Sequence, residues 1–246
     1  MKYFDAHDHL QDFASDDELA EALELAAGAG AERMLCCGTC PEDWGRVLEI
    51  AGRFAGVTPF FGLHPLKRAE EGWRKKLEDF LKRVPSGVGE IGLDGPRGLP
   101  GHEERFAEQL ELAGYFGRPA ALHCVRSWGR LLEVLRALRP GPFLLHSYGG
   151  SAELVPELAA LGGYFSFGGE LMDPRRERLR AALAAVPAER LLFETESPEP
   201  GGPPWRLGPA GVAEVAAFAA GLLGRPAGEL AALTLVNGER FVGGLK

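Results

Sequence analysis

The chain has 246 residues, of which 46% are hydrophobic and 25% are charged, so it is long enough and apolar enough to bury a full core. Its net charge of −8 argues against a nonspecific binder of duplex nucleic acid, which needs a basic face, but not against a small phosphate substrate. No stretch reaches the about 20 apolar residues of a membrane span, and the start is not typical of a secretory signal. We therefore expect a cytoplasmic protein with no membrane partner and with reduced cysteines.

Short β-rich runs alternate with longer amphipathic runs along the chain, a pattern that predicts parallel strands joined by helices. The predicted strands span Tyr3–His7, Arg33–Gly38, Val57–Leu63, Gly87–Gly92, Pro119–Cys124, Pro142–His146, Gly163–Phe167 and Arg190–Thr195. The predicted helices span Asp16–Ala29, Asp43–Phe54, Ala69–Arg83, His102–Gly117, Ser127–Leu138, Ala152–Leu161, Pro174–Val186 and Gly208–Leu223.

Eight such units in 246 residues predict an α/β fold, a (β/α)8 TIM barrel that forms one domain over residues 1–246. An open, doubly wound sheet is the alternative. The turn after the first strand carries His7-Asp8-His9 and no glycine-rich dinucleotide fingerprint, which counts against that sheet. Two segments rich in glycine and proline, Leu93–Gly101 and Glu196–Pro209, are predicted to be loops on the face where the carboxyl ends of the strands meet.

Histidine and glutamate side chains cluster at the carboxyl ends of the predicted strands, which converge on one face of a parallel barrel. His7 and His9 are two residues apart, so they point to the same side of an extended strand. Imidazole and carboxylate groups are good ligands for zinc, manganese or iron. The residues placed in this way are His7, His9, His64, Glu90, His123, His146, Glu194 and Glu196.

Glu90 has two carboxylate oxygens and can bridge two ions. Two ions roughly 3.5–4 Å apart hold and activate a water and clamp a phosphate or carbonyl oxygen. His64, in Gly-Leu-His-Pro, fits a contact with substrate better than metal ligation. The predicted metal ligands are His7, His9, Glu90, His123 and His146.

Two further features bear on phosphate binding, and neither is specific. The amides around Gly149 precede a predicted helix and suit an anion, although an ordinary glycine turn capped by Ser151 fits equally well. Arg126 can add positive charge, but a solvated side chain is an equal alternative. Cys37 and Cys40 have CxxC spacing without a second ligand pair, so buried thiols fit better than a zinc site.

In this order, the motifs resemble those of the TatD family of metal-dependent deoxyribonucleases, within the amidohydrolase-like barrels. The resemblance covers nearly the whole chain. The matching pieces are Phe4-Asp5-Ala6-His7-Asp8-His9-Leu10, Gly62-Leu63-His64-Pro65, Gly89-Glu90-Ile91-Gly92-Leu93-Asp94, Phe106-x-x-Gln109-Leu110, Ala121-Leu122-His123-Cys124, Leu145-His146-Ser147-Tyr148-Gly149-Gly150, Leu192-Phe193-Glu194-Thr195-Glu196-Ser197-Pro198 and, in a closing helix, Asn237-x-x-Arg240-Phe241.

The resemblance implies a hydrolase of phosphodiester bonds that uses one or two divalent ions, with Mg, Mn and Zn as candidates. It implies that His7 and His9 bind the first ion, His123 and His146 bind the second, and Glu90 bridges them. It also implies two catalytic carboxylates, Glu90 and Glu196, of which the second binds metal and orients or deprotonates the attacking water. The implied substrate contacts are His64, Arg126 and Gly149.

The chain departs from the family pattern on the substrate face. Position 196 is Glu where the family has Asp, and the extra methylene moves the carboxylate by about 1 Å, a distance to which catalytic geometry is sensitive. Val125 stands where the family has an arginine, and Arg126 follows one position later. Gly95-Pro96 replaces a usual aromatic residue, and Leu207-Gly208-Pro209 replaces a usual Asn-Glu-Pro.

The leading hypothesis is a TatD-like deoxyribonuclease that cuts a short or single-stranded DNA end, or a small phosphodiester, and binds no extended duplex. One alternative is a hydrolase of a small amide, lactone or ester. Another is a metal-binding barrel that has lost catalysis. The substitution Glu196→Asp separates the first and last of these hypotheses. If Glu196 is an adapted metal ligand, the change lowers an existing phosphodiesterase activity. If the barrel has lost catalysis, the change restores that activity.

Overall fold

Eight parallel strands close into a barrel in the order β1 to β8 in the computed structural model, which describes residues 1–198 and 208–245. The predicted TIM barrel is therefore confirmed. The part of the predicted loop Glu196–Pro209 that covers 199–207, including Leu207, lies outside the described residues. The strands are β1 (Tyr3–Asp8), β2 (Ala31–Cys37), β3 (Val57–Phe61), β4 (Gly87–Asp94), β5 (Ala120–Val125), β6 (Phe143–Leu145), β7 (Gly163–Phe167) and β8 (Leu191–Phe193).

Helices surround this barrel and close one end of it. The bounds are α1 (Asp16–Ala29), α2 (Trp44–Arg53), α3 (Trp73–Arg83), α4 (His102–Phe116), α5 (Trp128–Leu138), α6 (Val155–Ala160), α7 (Glu177–Ala185), α8 (Val212–Leu223) and α9 (Ala227–Val242). No helix among the described residues is long and apolar enough to cross a membrane.

The first helix shows how local sequence sets an element's ends. Ser15 precedes α1, and its hydroxyl oxygen accepts a hydrogen bond from the amide of Glu18 at 3.2 Å, which satisfies one of the free amides of the first turn. The helix ends at Gly30, whose φ of 95° lies in the left-handed region. A Cβ at Gly30 would lie 2.1 Å from the carbonyl oxygen of Met1, so only glycine fits this turn into β2.

Aromatic side chains fill the amino-terminal end of the barrel. The ring of Phe241 in α9 lies parallel to that of Phe60, with ring centroids 6.1 Å apart, and 5.2 Å from that of Tyr164. Gly238, one turn earlier in α9, packs against Phe4 so closely that a Cβ would lie 2.3 Å from the ring. These residues form one buried cluster, so α9 closes this end of the barrel with packed apolar surface.

The structure differs from the predicted boundaries mainly at the carboxyl ends of the strands. β4 extends to Asp94, two residues past the predicted end, because Gly92, Leu93 and Asp94 continue to pair with β5. β6 is shorter than predicted and ends at Leu145. The extension of β4 brings Asp94 to the mouth of the barrel.

Candidate metal centre

Glu90 of β4 lies at the centre of the carboxyl-terminal face of the barrel and is almost fully buried. Its two oxygens face different sets of imidazole nitrogens. Oε2 faces His7 of β1 and His9, which follows β1. Oε1 faces three further histidines, namely His64 after β3, His123 of β5 and His146 after β6. The five predicted histidines and the central glutamate therefore meet at one place.

The first set contains His7 and His9. The Nε2 atom of His7 lies 3.2 Å from that of His9 and 3.5 Å from Oε2 of Glu90, and the Nε2 of His9 lies 3.2 Å from the same oxygen. Two ligands of one tetrahedral ion, each about 2.1 Å from it, lie roughly 3.4 Å apart. The three donor atoms therefore have the mutual spacing of ligands to one ion.

The second set contains His123 and His146. Oε1 of Glu90 lies 3.0 Å from Nδ1 of His123 and 2.9 Å from Nε2 of His146, and these two nitrogens are 3.4 Å apart. This second triangle has the same spacing as the first, and the two share the carboxylate of Glu90. Ligand atoms of His7, Glu90 and His146, and those of His64, Glu90 and His123, also group within 4.8 Å.

Backbone groups fix the tautomers of two of these histidines. The Nδ1 of His9 lies 2.9 Å from the carbonyl oxygen of Cys37, so it carries the proton and leaves Nε2 as a free donor to a cation. His64 shows the reverse arrangement, because its Nδ1 accepts a hydrogen bond from the amide of Leu66 at 3.2 Å. The ring proton of His64 therefore sits on Nε2, 3.1 Å from Oε1 of Glu90, and His64 donates a hydrogen bond there.

Carboxylates face the outer nitrogens of the second pair of histidines. Oδ2 of Asp94 lies 3.5 Å from Nε2 of His123, and Oε1 of Glu194 lies 3.8 Å from Nδ1 of His146. Glu194 is itself held in place, since its oxygens accept hydrogen bonds from the amide of Ser147 at 2.7 Å and from the hydroxyl of Ser166. A carboxylate behind a ligating histidine orients its ring and raises its basicity.

The electrostatics of the cluster favour positive charge around Glu90. Burial alone raises the pKa of Glu90, but the imidazoles of His64 and His146 outweigh it and lower that pKa well below its usual range. Burial lowers the pKa of His9, but hydrogen bonding and attraction to Glu90 prevail and raise it to about 9. His7 is different, because burial and repulsion from His146 lower its pKa to about 4. Glu90 is thus ionised and attracts cations.

Glu196 follows β8 with a φ of 57°, which is the left-handed region. Its amide donates to the carbonyl oxygen of His7 at 2.9 Å, which fixes this unusual backbone beside β1. Burial raises the pKa of its carboxyl group to about 7. The carboxylate makes no hydrogen bond with any residue of 1–198 or 208–245, and it faces the cavity above Glu90.

The buried carboxylate of Asp5, in β1, holds the neighbouring Thr195. It accepts hydrogen bonds from the amide of Thr195 at 2.9 Å and from its hydroxyl at 2.7 Å. Asp8 lies 2.9 Å from the same hydroxyl, whose single proton the two carboxyl groups share, and it accepts from the amide of Ser197 at 3.0 Å. Together these bonds attach the segment after β8 to β1 and set the position of Glu196 between Thr195 and Ser197.

A cavity of about 300 Å3 opens above Glu90. Its volume is small, and its walls carry both acidic and basic side chains. The described residues that line it are His9, Asp12, Thr39, His64, Leu66, Lys67, Glu90, Arg97, His123 and Glu196.

The two remaining predicted substrate contacts lie elsewhere. Arg126 and Gly149 are both exposed, and neither is among the described residues that line the cavity. Arg126 has a φ of 51°, so the chain turns sharply after β5 there. Cys36 and Cys37 are buried in β2, and all four cysteines are free thiols.

Sequence reasoning missed Lys67 and Asp94 at this site and did not predict the role of Glu194. Lys67 lies two residues after the predicted His64-Pro65 motif, and no pattern marked it. Asp94 was placed in a loop, although it ends the motif Gly-Leu-Asp. Glu194 was noted at the end of β8, but its place behind His146 depends on a contact between two strands that are distant in sequence.

Comparison with known proteins agrees with this geometry. The family model described as TatD related DNase matches residues 4–243. An uncharacterized metal-dependent hydrolase of Escherichia coli strain K12, YjjV, is 31% identical over 213 residues, which cover 80% of each protein. The 3'-5' ssDNA/RNA exonuclease TatD of Cronobacter turicensis is 34% identical over 195 residues, which cover 74% of this chain and 73% of that protein.

Solved structures show the same similarity. The crystal structure of YJJV, a TatD homolog from Escherichia coli K12, superposes with a TM-score of 0.86 at 28% identity and covers 97% of each chain. A TatD family hydrolase from Entamoeba histolytica shares the fold, with a TM-score of 0.82 at 16% identity and 98% of each chain covered. The chain therefore belongs to the TatD-related DNase family and is a metal-dependent hydrolase of the nuclease type.

Proposed function

We propose that this chain is an exonuclease that removes nucleotides from the ends of single-stranded DNA or RNA. The observation that carries the proposal is the pair of donor triangles that share Glu90 at the base of the cavity. Relatives at 33–34% identity that are named 3'-5' ssDNA/RNA exonucleases support this substrate class. The small cavity and the charge of −8 favour a single-stranded end over extended duplex.

The residues present fit two divalent ions. His7, His9 and Oε2 of Glu90 would hold one, and His123, His146 and Oε1 of Glu90 would hold the other. The outer ring nitrogens of His7, His123 and His146 are buried and make no hydrogen bond within the described residues, and the carboxylates of Asp94 and Glu194 face those of His123 and His146 at 3.5 and 3.8 Å. Imidazole-rich sets favour zinc or another transition ion over magnesium, with manganese between them.

Divalent ions, when bound, supply Lewis acidity toward water and toward phosphate oxygens. The chain's own residues do the rest. Glu90 holds both ligand sets in register, and Glu194 and Asp94 hold the rings of His146 and His123. Glu196 faces the cavity with a carboxylate that makes no hydrogen bond with residues 1–198 or 208–245, where it would help to hold an ion and would accept the proton of the attacking water. His64 would donate a hydrogen bond from its Nε2–H to a phosphate oxygen in place of the one that it gives to Oε1 of Glu90.

The remaining proposals concern the surroundings of the site. We place Arg126 and Gly149, which are exposed beside the mouth of the barrel, against the strand beyond its terminal nucleotide. The free thiols and the negative charge fit a cytoplasmic enzyme. Residues 1–246 would act as one catalytic domain.

The test is release of nucleotides from an end-labelled, single-stranded DNA or RNA of ten nucleotides, with manganese or zinc added. In Glu90→Gln, kcat/KM should fall by at least about 10²-fold, because one carboxylate organises both triangles. The matched control is Glu133→Gln, the same change on the exposed face of α5, which should keep full activity. Full activity in Glu90→Gln, or no turnover of either nucleic acid by the unaltered enzyme, would contradict the proposal.

A further inference from the structure

Two of the described residues that line the cavity, Lys67 and Arg97, carry long cationic side chains, and their surroundings differ. Arg97 is held by Asp94, whose Oδ1 accepts from the Arg97 amide at 3.0 Å and whose Oδ2 accepts from Nε at 3.2 Å and Nη2 at 3.1 Å. Asp94 also faces His123. The charge of Arg97 is therefore already paired, and its guanidinium is fixed in the loop after β4.

The ammonium group of Lys67 makes no hydrogen bond or ion pair with any residue of the described ranges 1–198 and 208–245. The nearby acidic residues of the cavity wall, Asp12 and Glu196, form no ion pair with it, although all three line the same cavity. An unpaired cation in a cavity with acidic walls is available to a substrate anion.

The backbone fixes where Lys67 stands. Its amide donates to the carbonyl oxygen of His64 at 2.9 Å and closes a tight turn, within which the amide of Leu66 holds the ring of His64. The carbonyl oxygen of Pro65 accepts from the amide of Leu99 at 3.0 Å, which joins this turn to the loop that carries Arg97. The base of Lys67 is therefore rigidly placed relative to His64 and Glu90, while its long side chain is free to reach a ligand.

Under the proposed function, His64 and ions held around Glu90 would contact the phosphate to be cleaved. We propose that Lys67 binds the next phosphate along the strand, so that the enzyme prefers an oligonucleotide over a diester with a single phosphate. This inference rests on the proposed function and names the residue that sets its preference for chain substrates. Lys67 is exposed and carries no packing role, so its removal tests this preference directly.

The experiment compares Lys67→Ala with Lys75→Ala, an equal loss of charge on the outer face of α3. The probes are single-stranded tetrathymidylate and bis(4-nitrophenyl) phosphate. We expect KM for tetrathymidylate to rise about tenfold in Lys67→Ala only, and kinetics on the small diester to stay unchanged. The salt dependence of log kcat/KM for tetrathymidylate should become shallower by about 0.7, the contribution of one single-strand phosphate contact.

A second readout does not depend on turnover. Fluorescence anisotropy of labelled tetrathymidylate in EDTA should show weaker binding to Lys67→Ala than to Lys75→Ala. Equal binding and equal KM in the two variants, or an equal loss on the small diester, would overturn the role of Lys67. Absence of all turnover in the unaltered enzyme would instead count against the proposed function, and the binding comparison would still decide the inference.

Discussion

The two ends of this barrel are both buried but are held together by different forces. At the amino-terminal end, Phe241 of α9 packs against Phe60 and Tyr164 through ring contacts in a buried cluster. At the carboxyl-terminal end, the carboxylate of Glu90 contacts the ring nitrogens of the surrounding histidines inside the barrel. The same strands supply both ends, so stability and chemistry are separated along the strand direction. Changes at one end should therefore leave the other nearly intact.

The largest effect is expected at the aromatic end. Phe241→Ala removes a fully buried ring and leaves a cavity, so it should lower the free energy of unfolding by about 3–5 kcal/mol. Urea denaturation measures this loss, and kcat of the molecules that remain folded should not change. The matched control, Tyr115→Ala, removes a ring that is 82% exposed and should change stability by less than about 0.5 kcal/mol. A drop in kcat as large as the drop in stability would show that the two ends are not separate.

An intermediate effect is expected behind the metal centre. Glu194→Gln keeps the shape of the side chain and its acceptor for the Ser147 amide but removes the charge that faces His146. Metal affinity, measured by calorimetric titration with manganese or zinc, should fall about 10–100-fold while the unfolding free energy changes little. Glu189→Gln, on the surface before β8, is the control. Unchanged metal affinity in Glu194→Gln would show that Glu194 does not support metal binding through His146.

The smallest effect is expected for the pH dependence of the unfolding free energy, measured in EDTA. The pKa of His9 is raised to about 9 from an unfolded value of 6.5, so its contribution to stability is complete below pH 6.5 and is lost as pH rises through 9. The unfolding free energy should therefore fall over this window, and it should fall less steeply in His9→Gln. Denaturant titrations at pH 6.5, 8 and 9.5 measure the slopes. Equal slopes in the two proteins would show that Glu90 does not hold a proton on His9.

The sequence predicts the barrel and which histidine and glutamate side chains come together on one face, for a physical reason. Strand–helix alternation is a local pattern, and the parallel barrel then brings every strand end to one face, so His7 and His146 meet whatever the details of the loops. The roles of individual ligands stay predictions, because the comparisons name a family and not its residues.

What the sequence could not predict depends on conformation beyond the strands. Arg126 was chosen for its charge and Gly149 for the exposed amides before a helix, yet a left-handed turn at Arg126 leaves it exposed outside the cavity. Lys67 was unmarked because a lysine in a loop is ordinary, and its significance lies in its having no partner among residues 1–198 and 208–245. Asp94 was assigned to a loop because glycine follows it, whereas pairing with β5 extends the strand through it.

The carboxylate that the two donor triangles share has one more consequence. A cation in one triangle would fix the orientation of Glu90 and withdraw part of its negative charge from the other. If both triangles bind ions, their occupancies are thermodynamically linked, and the linkage is reciprocal, since whatever the first ion does to the affinity for the second, the second does to the first. The response of such a site to scarce metal would be a property of the pair and could not be assigned to either position alone.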